Sequence, residues 1–217
     1  MNQKTKLTSS QQYFREIELH WSLQRGNRII VSPLEFDSVM EWYEKPVPLK
    51  VVLRAIDQFL DRKKKNKRKR NHLLSHISAD VEKLHKEFNL LHLGSFDGSS
   101  EPESMEIIPG KLKSIRRKVR MLQKECLTDI ESQLTELISE KNLMSFLCYE
   151  DLETALQALD QQMMAQIETE CSEEQKQLLK DELKEFLDEE KDEEFFQKAY
   201  NDLLRVHFDL PRISVLG

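Results

Sequence analysis

The fold of this chain is decided by residues 31–70, which read VSPLEFDSVMEWYEKPVPLKVVLRAIDQFLDRKKKNKRKR. Ser32 is a residue type that caps helix N-termini, because its hydroxyl accepts a hydrogen bond from a backbone N–H that has no partner within the helix. Pro33 follows at the first helical position, where a missing N–H has no cost, and Glu35 is spaced to complete a capping box with Ser32. These three residues predict a helix that begins at Ser32.

The rest of the same stretch predicts a second helix and a basic run. The first helix carries apolar residues at helical spacing, at Phe36, Val39, Met40 and Tyr43. A second apolar stripe begins after a proline pair and comprises Val51, Val52, Ala55, Ile56, Phe59 and Leu60. It leads directly into residues 62–70, where eight of nine residues are Lys or Arg.

Outward from this stretch, the sequence predicts an all-α protein in two parts. A helix over 11–24 ends at Gly26, and another spans 72–91, so residues 1–93 are expected to form a compact four-helix module. Residues 94–110 have the Gly, Ser and Pro content of a flexible linker.

The second part, residues 111–217, is predicted to be an acidic helical hairpin or bundle. Apolar residues at heptad-like spacing indicate one long helix over 111–142, antiparallel to a second over 149–170. Ser172 and Gln175 form another capping box, and a last helix follows. The C-terminal sequence HFDLPRISVLG is apolar and is expected to dock on a helix.

Charge is distributed unevenly between the two parts. Residues 1–93 contain 18 Lys and Arg against 11 Asp and Glu, a net +7. Residues 94–217 contain 15 against 28, a net −13, and the whole chain carries −6. Such asymmetry indicates that the two parts have different partners or contact each other.

Composition narrows the class of protein. Cys126, Cys148 and Cys171 are odd in number and widely spaced, which favours free thiols in a reducing compartment. The N-terminus lacks the apolar segment of a secretory signal, and no apolar run approaches the ~18 residues of a membrane span. We therefore expect a cytoplasmic protein. No Gly-rich phosphate loop, GxSxG or zinc signature occurs, so we expect no enzymatic activity, no cofactor and no metal.

Several features of the first part follow one another in a recognisable order, namely Gly26, Ser32-Pro33, Glu35, Trp42 and Ala55-Ile56. In this order residues 13–90 resemble the helical domain of DnaD-type primosome and phage replication proteins. The resemblance implies binding of single- or double-stranded DNA and contacts with proteins that load or remodel a helicase. DNA contacts in that family lie toward the end of the domain, in a helix with a Tyr-x-x-x-Ile pattern. Here that region is residues 72–77, with Ile77 in place and no Tyr.

The basic run over 62–70 is the candidate functional site. Its cations are Arg62, Lys63, Lys64, Lys65, Lys67, Arg68, Lys69 and Arg70. One or two cations suffice to stabilise a helix C-terminus, so eight indicate an anionic partner or a solvated loop. Lys and Arg bind phosphate by releasing its condensed counterions, without reading sequence. Non-specific nucleic-acid binding is the first interpretation, and a role limited to solubility is the alternative.

A second basic cluster, residues 111–124, has two interpretations: it extends the surface of the basic run, or, as we favour, it pairs with acids of the last helices. Residues 173–194 contain 11 Asp and Glu against 4 Lys, and these acids are expected to pair with the cluster. Two functions remain open. One is a non-enzymatic nucleic-acid-binding protein, such as a replication accessory, whose acidic part binds a protein or a second copy. The other is a helical assembly protein with no nucleic-acid role and no membrane contact.

Overall fold

The computed structural model describes residues 8–26, 31–64, 72–93, 101–139, 149–187 and 192–215, together with Leu143 and Phe146. Every regular element in these ranges is a helix, which confirms the all-α class. The chain divides into two compact units, Met1–Lys86 (unit 1) and Glu87–Gly217 (unit 2).

Unit 1 is built on α1, α2 and α3, which span Ser9–Arg25, Pro33–Glu44 and Leu49–Lys64. A 3-10 helix at Leu74–Ile77 follows and leads into α4, Ser78–Leu93, whose residues from Glu87 onward belong to unit 2. α1 packs against α2 and α3, and the 3-10 helix packs against the same two helices. Their shared core includes Ile17, Trp21, Val39, Trp42, Val51, Val52, Ala55, Ile56, Leu74 and Ile77.

Local signals fix the ends of these helices. At the start of α2, the Ser32 hydroxyl accepts from the N–H of Glu35, and the Glu35 carboxylate accepts from the N–H of Ser32 at 2.9 Å. At the end of α1, Gly26 has a φ of +66° and donates its N–H to the C=O of Leu23. A residue with a side chain adopts this left-handed conformation only with strain. Both predicted boundaries are confirmed.

The buried face of α2 is rotated from the one that apolar spacing predicts. Glu35 and Trp42 are buried, whereas Phe36 and Tyr43 are 43% and 37% exposed. The rings of Phe36 and Tyr43 lie against a Phe and a Tyr of α1, with centroids 4.9 and 5.4 Å apart. A carboxylate is tolerated in the core because backbone N–H groups satisfy it there.

Unit 2 contains α5, Glu101–Met121, and α6, Thr128–Leu137, separated by a 3-10 helix at Glu125–Leu127. Further along are α7, Tyr149–Glu170, α8, Glu173–Phe186, and α9, Glu193–Phe208. α5 packs against α6, α6 against α7, and α8 against α9. Their buried residues include Leu112, Ile115, Val119, Ile130, Leu134, Leu156, Met163, Ile167, Leu183 and Leu204. The predicted capping box at Ser172 is formed.

The single long helix predicted over 111–142 is wrong. α5 begins at Glu101, inside the stretch 94–110 that the sequence predicts as linker, and residues 94–100 lie outside the described part of the chain. α5 and α6 are separated at Gln123, whose φ is +50° and whose N–H bonds the carbonyl three residues back. The apolar spacing continues across the break, so periodicity alone does not reveal it.

The C-terminal tail, residues 209–215, docks on α7, as its apolar composition predicts. Ile213 and Val215 are buried. The N–H of Ile213 donates to Asp160 at 2.8 Å, and the N–H of Val215 donates to Glu153 at 3.2 Å. These carboxylates are two turns apart and therefore lie on one face of α7.

Side chains strengthen the same contact. The buried Arg205 guanidinium pairs with Asp160 and donates to the C=O of Pro211 at 3.0 Å. The Ser214 hydroxyl donates to Glu153, and the Lys111 ammonium donates to the C=O of Val215 at 3.1 Å. The tail is therefore an integral part of unit 2.

Candidate nucleic-acid interface

The basic run begins as the last turn of α3. That helix extends to Lys64. The Arg62 guanidinium donates to the Asp80 carboxylate, at 2.5 Å, in the first turn of α4. The Lys63 ammonium lies 5.2 Å from the centroid of the Phe59 ring. Both cations have structural contacts of their own, although an ion pair this exposed contributes only about 0–1 kcal/mol.

The other cations of the run lie beyond what the structure describes. These are the side chain of Lys64 and the whole of Lys65, Lys67, Arg68, Lys69 and Arg70. The chain is described again from His72 onward. The structure therefore describes Lys63 near the start of the run and His72 just after it.

Lys63 and His72 both contact the aromatic ring of Phe59. The His72 ring lies edge-on to Phe59, with centroids 5.2 Å apart, and Lys63 approaches the same ring. The His72 carbonyl accepts from the Arg25 guanidinium at 2.8 Å, and that guanidinium lies 5.3 Å from the centroid of the Trp21 ring. Phe59 thus contacts Lys63 at the start of the run, and Arg25 and Phe59 contact His72, two residues after its end. Neither residue stood out in the sequence, because their contacts join positions far apart in the chain.

A buried polar pair joins α1 to α3. His20, only 1% exposed, places Nε2 at 2.7 Å from a carboxylate oxygen of Asp57, which also accepts from the Gln24 amide at 2.9 Å. Its burial puts this imidazole out of reach of a nucleic acid. The pair therefore serves the packing of the module, and apolar spacing gave no indication of it.

His72 and His76 are the histidines that the sequence places one turn apart. Their ring centroids are 6.4 Å apart, and Nδ1 of His76 accepts from the N–H of Leu73 at 3.2 Å. Within the described ranges, no group of three His, Cys, Asp or Glu side chains is arranged to hold a metal ion. The local role of His76 is to cap the 3-10 helix.

Three ion pairs of the second basic cluster lie within the described residues, and their acids come from outside residues 173–194. The pairs of the cluster are Lys111–Glu87, Arg120–Glu131 and Lys124–Glu170, at 3.1, 3.8 and 3.5 Å. The acids of α8 and α9 form the pairs Glu173–Lys176, Asp181–Lys184 and Glu194–Lys198. In each of these three pairs the lysine lies one turn away on the same helix, where side chains three or four residues apart are neighbours.

Cys126 and Cys171, the cysteines that the structure describes, are poor nucleophiles. Burial, followed by the nearby Glu170 carboxylate, raises the pKa of Cys126 to about 11. Burial also raises the pKa of Cys171, whose thiol donates to the C=O of Ile167 at 3.2 Å. Both thiols are therefore protonated at neutral pH, which argues against thiolate chemistry. Cys148 lies outside the described residues.

No protein-family model matches this sequence, and comparisons with curated proteins and with solved structures give no match. Among the residues that the structure describes, no helix combines the length and the apolarity needed to cross a bilayer. Function is therefore argued from the chemistry of the chain itself.

Proposed function

We propose that this chain is a non-enzymatic protein that binds nucleic acid non-specifically through the basic run. The observation that carries the proposal is the presence of eight cations among the nine residues 62–70. Each phosphate that such a run neutralises releases condensed counterions, which favours binding without any base contact. The run contains no aromatic residue to stack on bases, so the phosphate backbone is its target.

The contacts at the start of the run divide its cations into two groups. Arg62 and Lys63 interact with Asp80 and Phe59, and they hold the start of the run in place. The phosphate ligands in this proposal are the remaining six, Lys64, Lys65, Lys67, Arg68, Lys69 and Arg70. Among them the two arginines suit phosphate best, because a guanidinium can donate two parallel hydrogen bonds.

The similarity of residues 13–90 to DnaD-type domains supports the same function. Its local features, the Gly26 turn and the Ser32 cap, are both formed. By this analogy the chain is a replication accessory that contacts a protein involved in helicase loading or remodelling. We also propose a cytoplasmic location, where the free thiols of Cys126 and Cys171 remain reduced.

Changing Lys67, Arg68, Lys69 and Arg70 together to Gln is expected to remove most of the binding. We would measure the fluorescence anisotropy of labelled single-stranded DNA, double-stranded DNA and RNA across a salt series. Each lost phosphate contact reduces the magnitude of the log–log salt slope by about 0.9, so the slope should fall by about 3 to 4.

A matched control removes four positive charges elsewhere. Lys83, Lys86, Lys113 and Arg117 are all exposed and lie outside the run, so changing them to Gln gives a protein of the same net charge. This control is expected to keep the salt slope of the intact protein. Equal losses in both variants, or an intact protein that binds none of the three nucleic acids, would overturn the proposal.

A second candidate function is a helical assembly protein with no nucleic-acid role. One observation favours it, a strip of exposed neutral residues on α7 in a chain of which 33% is charged. An intact protein that binds none of the three nucleic acids and has a mass above one chain would support this alternative.

A further inference from the structure

α7 exposes a strip of neutral residues, with the exposed Asp151 at its N-terminal end. The neutral residues are Thr154, Ala158, Gln161, Gln162, Ala165 and Thr169, all of them exposed. Steps of three and four residues, with Gln161 and Gln162 adjacent at the middle, keep them on one side of the helix. The next helix in the chain, α8, exposes instead Glu173, Glu174, Lys180, Asp181, Lys184 and Glu185. Depletion of charged residues is typical of the centre of a protein–protein interface, so this strip is a candidate contact surface.

The strip reads the same in both directions. Its midpoint lies between Gln161 and Gln162, and the residues on either side match in turn. They are Gln161 with Gln162, Ala158 with Ala165, and Thr154 with Thr169. A fourth match, Gln157 with Gln166, lies beside the strip.

This symmetry has a direct physical meaning. Two identical helices related by a two-fold axis perpendicular to them run antiparallel, so each residue meets its mirror counterpart on the other copy. We propose that the α7 strip is the interface of an antiparallel, two-fold symmetric dimer of this chain. The proposal is independent of nucleic-acid binding.

In that arrangement each residue of the strip meets a residue of the same type on the other copy, and each such contact is favourable. A glutamine amide is both donor and acceptor and can pair with another glutamine. Alanine opposite alanine lets the helix axes approach to about 8 Å. The Thr169 hydroxyl already donates to the C=O of Ala165, so bringing it to an interface leaves no donor unsatisfied.

Charge favours a second copy over an unrelated partner. Residues 94–217 carry a net −13, and copies of so acidic a half repel each other wherever their charged faces meet. The strip is the face on which this repulsion is least. A strongly basic partner would find no counter-charge on it, whereas a second strip matches it without unpaired charge.

A cavity of about 420 Å³ borders the strip and shares Ala158 and Gln162 with it. Its other walls are Ala155 and Leu159 on α7, with Gln133, Glu136, Leu137 and Phe146 opposite. A second helix lying on the strip would cover the mouth of this cavity and remove its apolar walls from water. One short helix pair is a small interface, so we expect a dimer that forms with increasing concentration.

The test is sedimentation velocity of the full chain from roughly 1 µM to roughly 200 µM, with charges introduced on the strip. Ala158 of one copy faces Ala165 of the other. Ala158→Glu with Ala165→Glu therefore places like charges opposite each other twice, and should weaken the dimer by at least about tenfold. Ala158→Glu with Ala165→Lys places opposite charges together, and should restore association to within a few-fold of the intact protein.

Two controls make the result decisive. Met121→Glu with Leu178→Glu adds the same two charges at positions 74% and 67% exposed on other helices, and should leave association unchanged. The far-UV circular dichroism of all variants should match, because every substituted position is exposed. An intact protein that stays monomeric over the whole range overturns the proposal. Equal weakening of association in the Glu/Glu and Glu/Lys variants would also overturn the proposal, because rescue by the Glu/Lys variant requires the antiparallel register.

Discussion

Glu35→Ala is expected to destabilise unit 1 by about 2 to 4 kcal/mol, because it leaves buried backbone donors without an acceptor. The Glu35 side chain is 3% exposed. One carboxylate oxygen accepts from the N–H and the hydroxyl of Ser32, at 2.9 and 2.8 Å, and the other accepts from the N–H of Leu74 at 2.9 Å. A single side chain thus ties the start of α2 to the 3-10 helix 39 residues later.

Urea unfolding followed by tryptophan fluorescence measures this effect selectively. Both tryptophans of the chain, Trp21 and Trp42, are buried in unit 1. The control is Glu41→Ala on the same helix, where the carboxylate is 60% exposed and pairs with Lys45. That control should stay within about 0.5 kcal/mol of the intact protein. Equal shifts for both variants would contradict the role assigned to Glu35.

The same carboxylate predicts a pH dependence. Burial by itself raises the pKa of Glu35, but hydrogen bonds from Ser32 and Leu74 and the Arg25 charge outweigh it and hold the pKa below its ordinary 4.5. Stability from a carboxylate with a lowered pKa is fully present above the ordinary value and is lost as the pH falls through the lowered one. The difference in the free energy of unfolding between the intact protein and Glu35→Gln, which we call the stability gap, should therefore narrow below about pH 4.5. A gap that stays constant from neutral pH to about pH 3 would count against this.

Arg205→Met is expected to destabilise unit 2 by about 3 kcal/mol. The Arg205 side chain is 8% exposed, and its guanidinium holds Asp160 and the C=O of Pro211. Removing one member of a buried ion pair costs about 3–5 kcal/mol, because the other charge is left without its partner. The lower end of this range applies here, because Asp160 is 22% exposed and still accepts a hydrogen bond from the N–H of Ile213.

Hydrogen exchange at the tail amides reports this change directly. The N–H groups of Ile213 and Val215 should lose protection in Arg205→Met, because release of the tail exposes them. Arg212→Met is the matched control, since its ion pair with Asp202 is more exposed, at 22% and 21%. Its effect should be about 1 kcal/mol or less. Comparable losses in the two variants would show that the buried pair has no special weight.

Helix ends could be predicted from the sequence because their chemistry is local. Ser32 and Glu35, and likewise Ser172 and Gln175, complete each other's hydrogen bonds within three residues. The left-handed turn at Gly26 is equally local, since it depends on the absence of a side chain. These signals sufficed for the all-α class and for most helix starts.

Contacts between distant residues could not be read in the same way. The second oxygen of Glu35 bonds to Leu74, so a capping residue that looked exposed became part of the core. Glu153 and Asp160 resemble surface acids of an amphipathic helix, because their donors are supplied by the tail. At Gln123 the turn occurs at a residue that is no helix breaker, and the apolar spacing on both sides conceals it.

The candidate site was predicted in composition and only partly in arrangement. A run of eight cations is visible in any reading of the sequence. The contacts beside the run could not be predicted from the sequence. Arg25 donates a hydrogen bond to the carbonyl of His72, 47 residues away, and the Phe59 ring contacts both Lys63 and His72. The net negative charge of α8 and α9 also gave no indication of their ion pairs, in which an acid pairs with a lysine one turn away on the same helix.

The long separation between α7 and its tail also imposes an order in time. The contacts of Glu35 and Arg25 all close within the first 86 residues, so a growing polypeptide can complete unit 1 early. Asp160 and Glu153 must wait for Ile213 and Val215, which lie 53 and 62 residues further on. Val215 follows the end of unit 1 at Lys86 by 215 − 86 = 129 residues. At typical ribosomal speeds that wait is on the order of ten seconds. A nascent chain would thus carry a finished basic module while its acidic half is still incomplete.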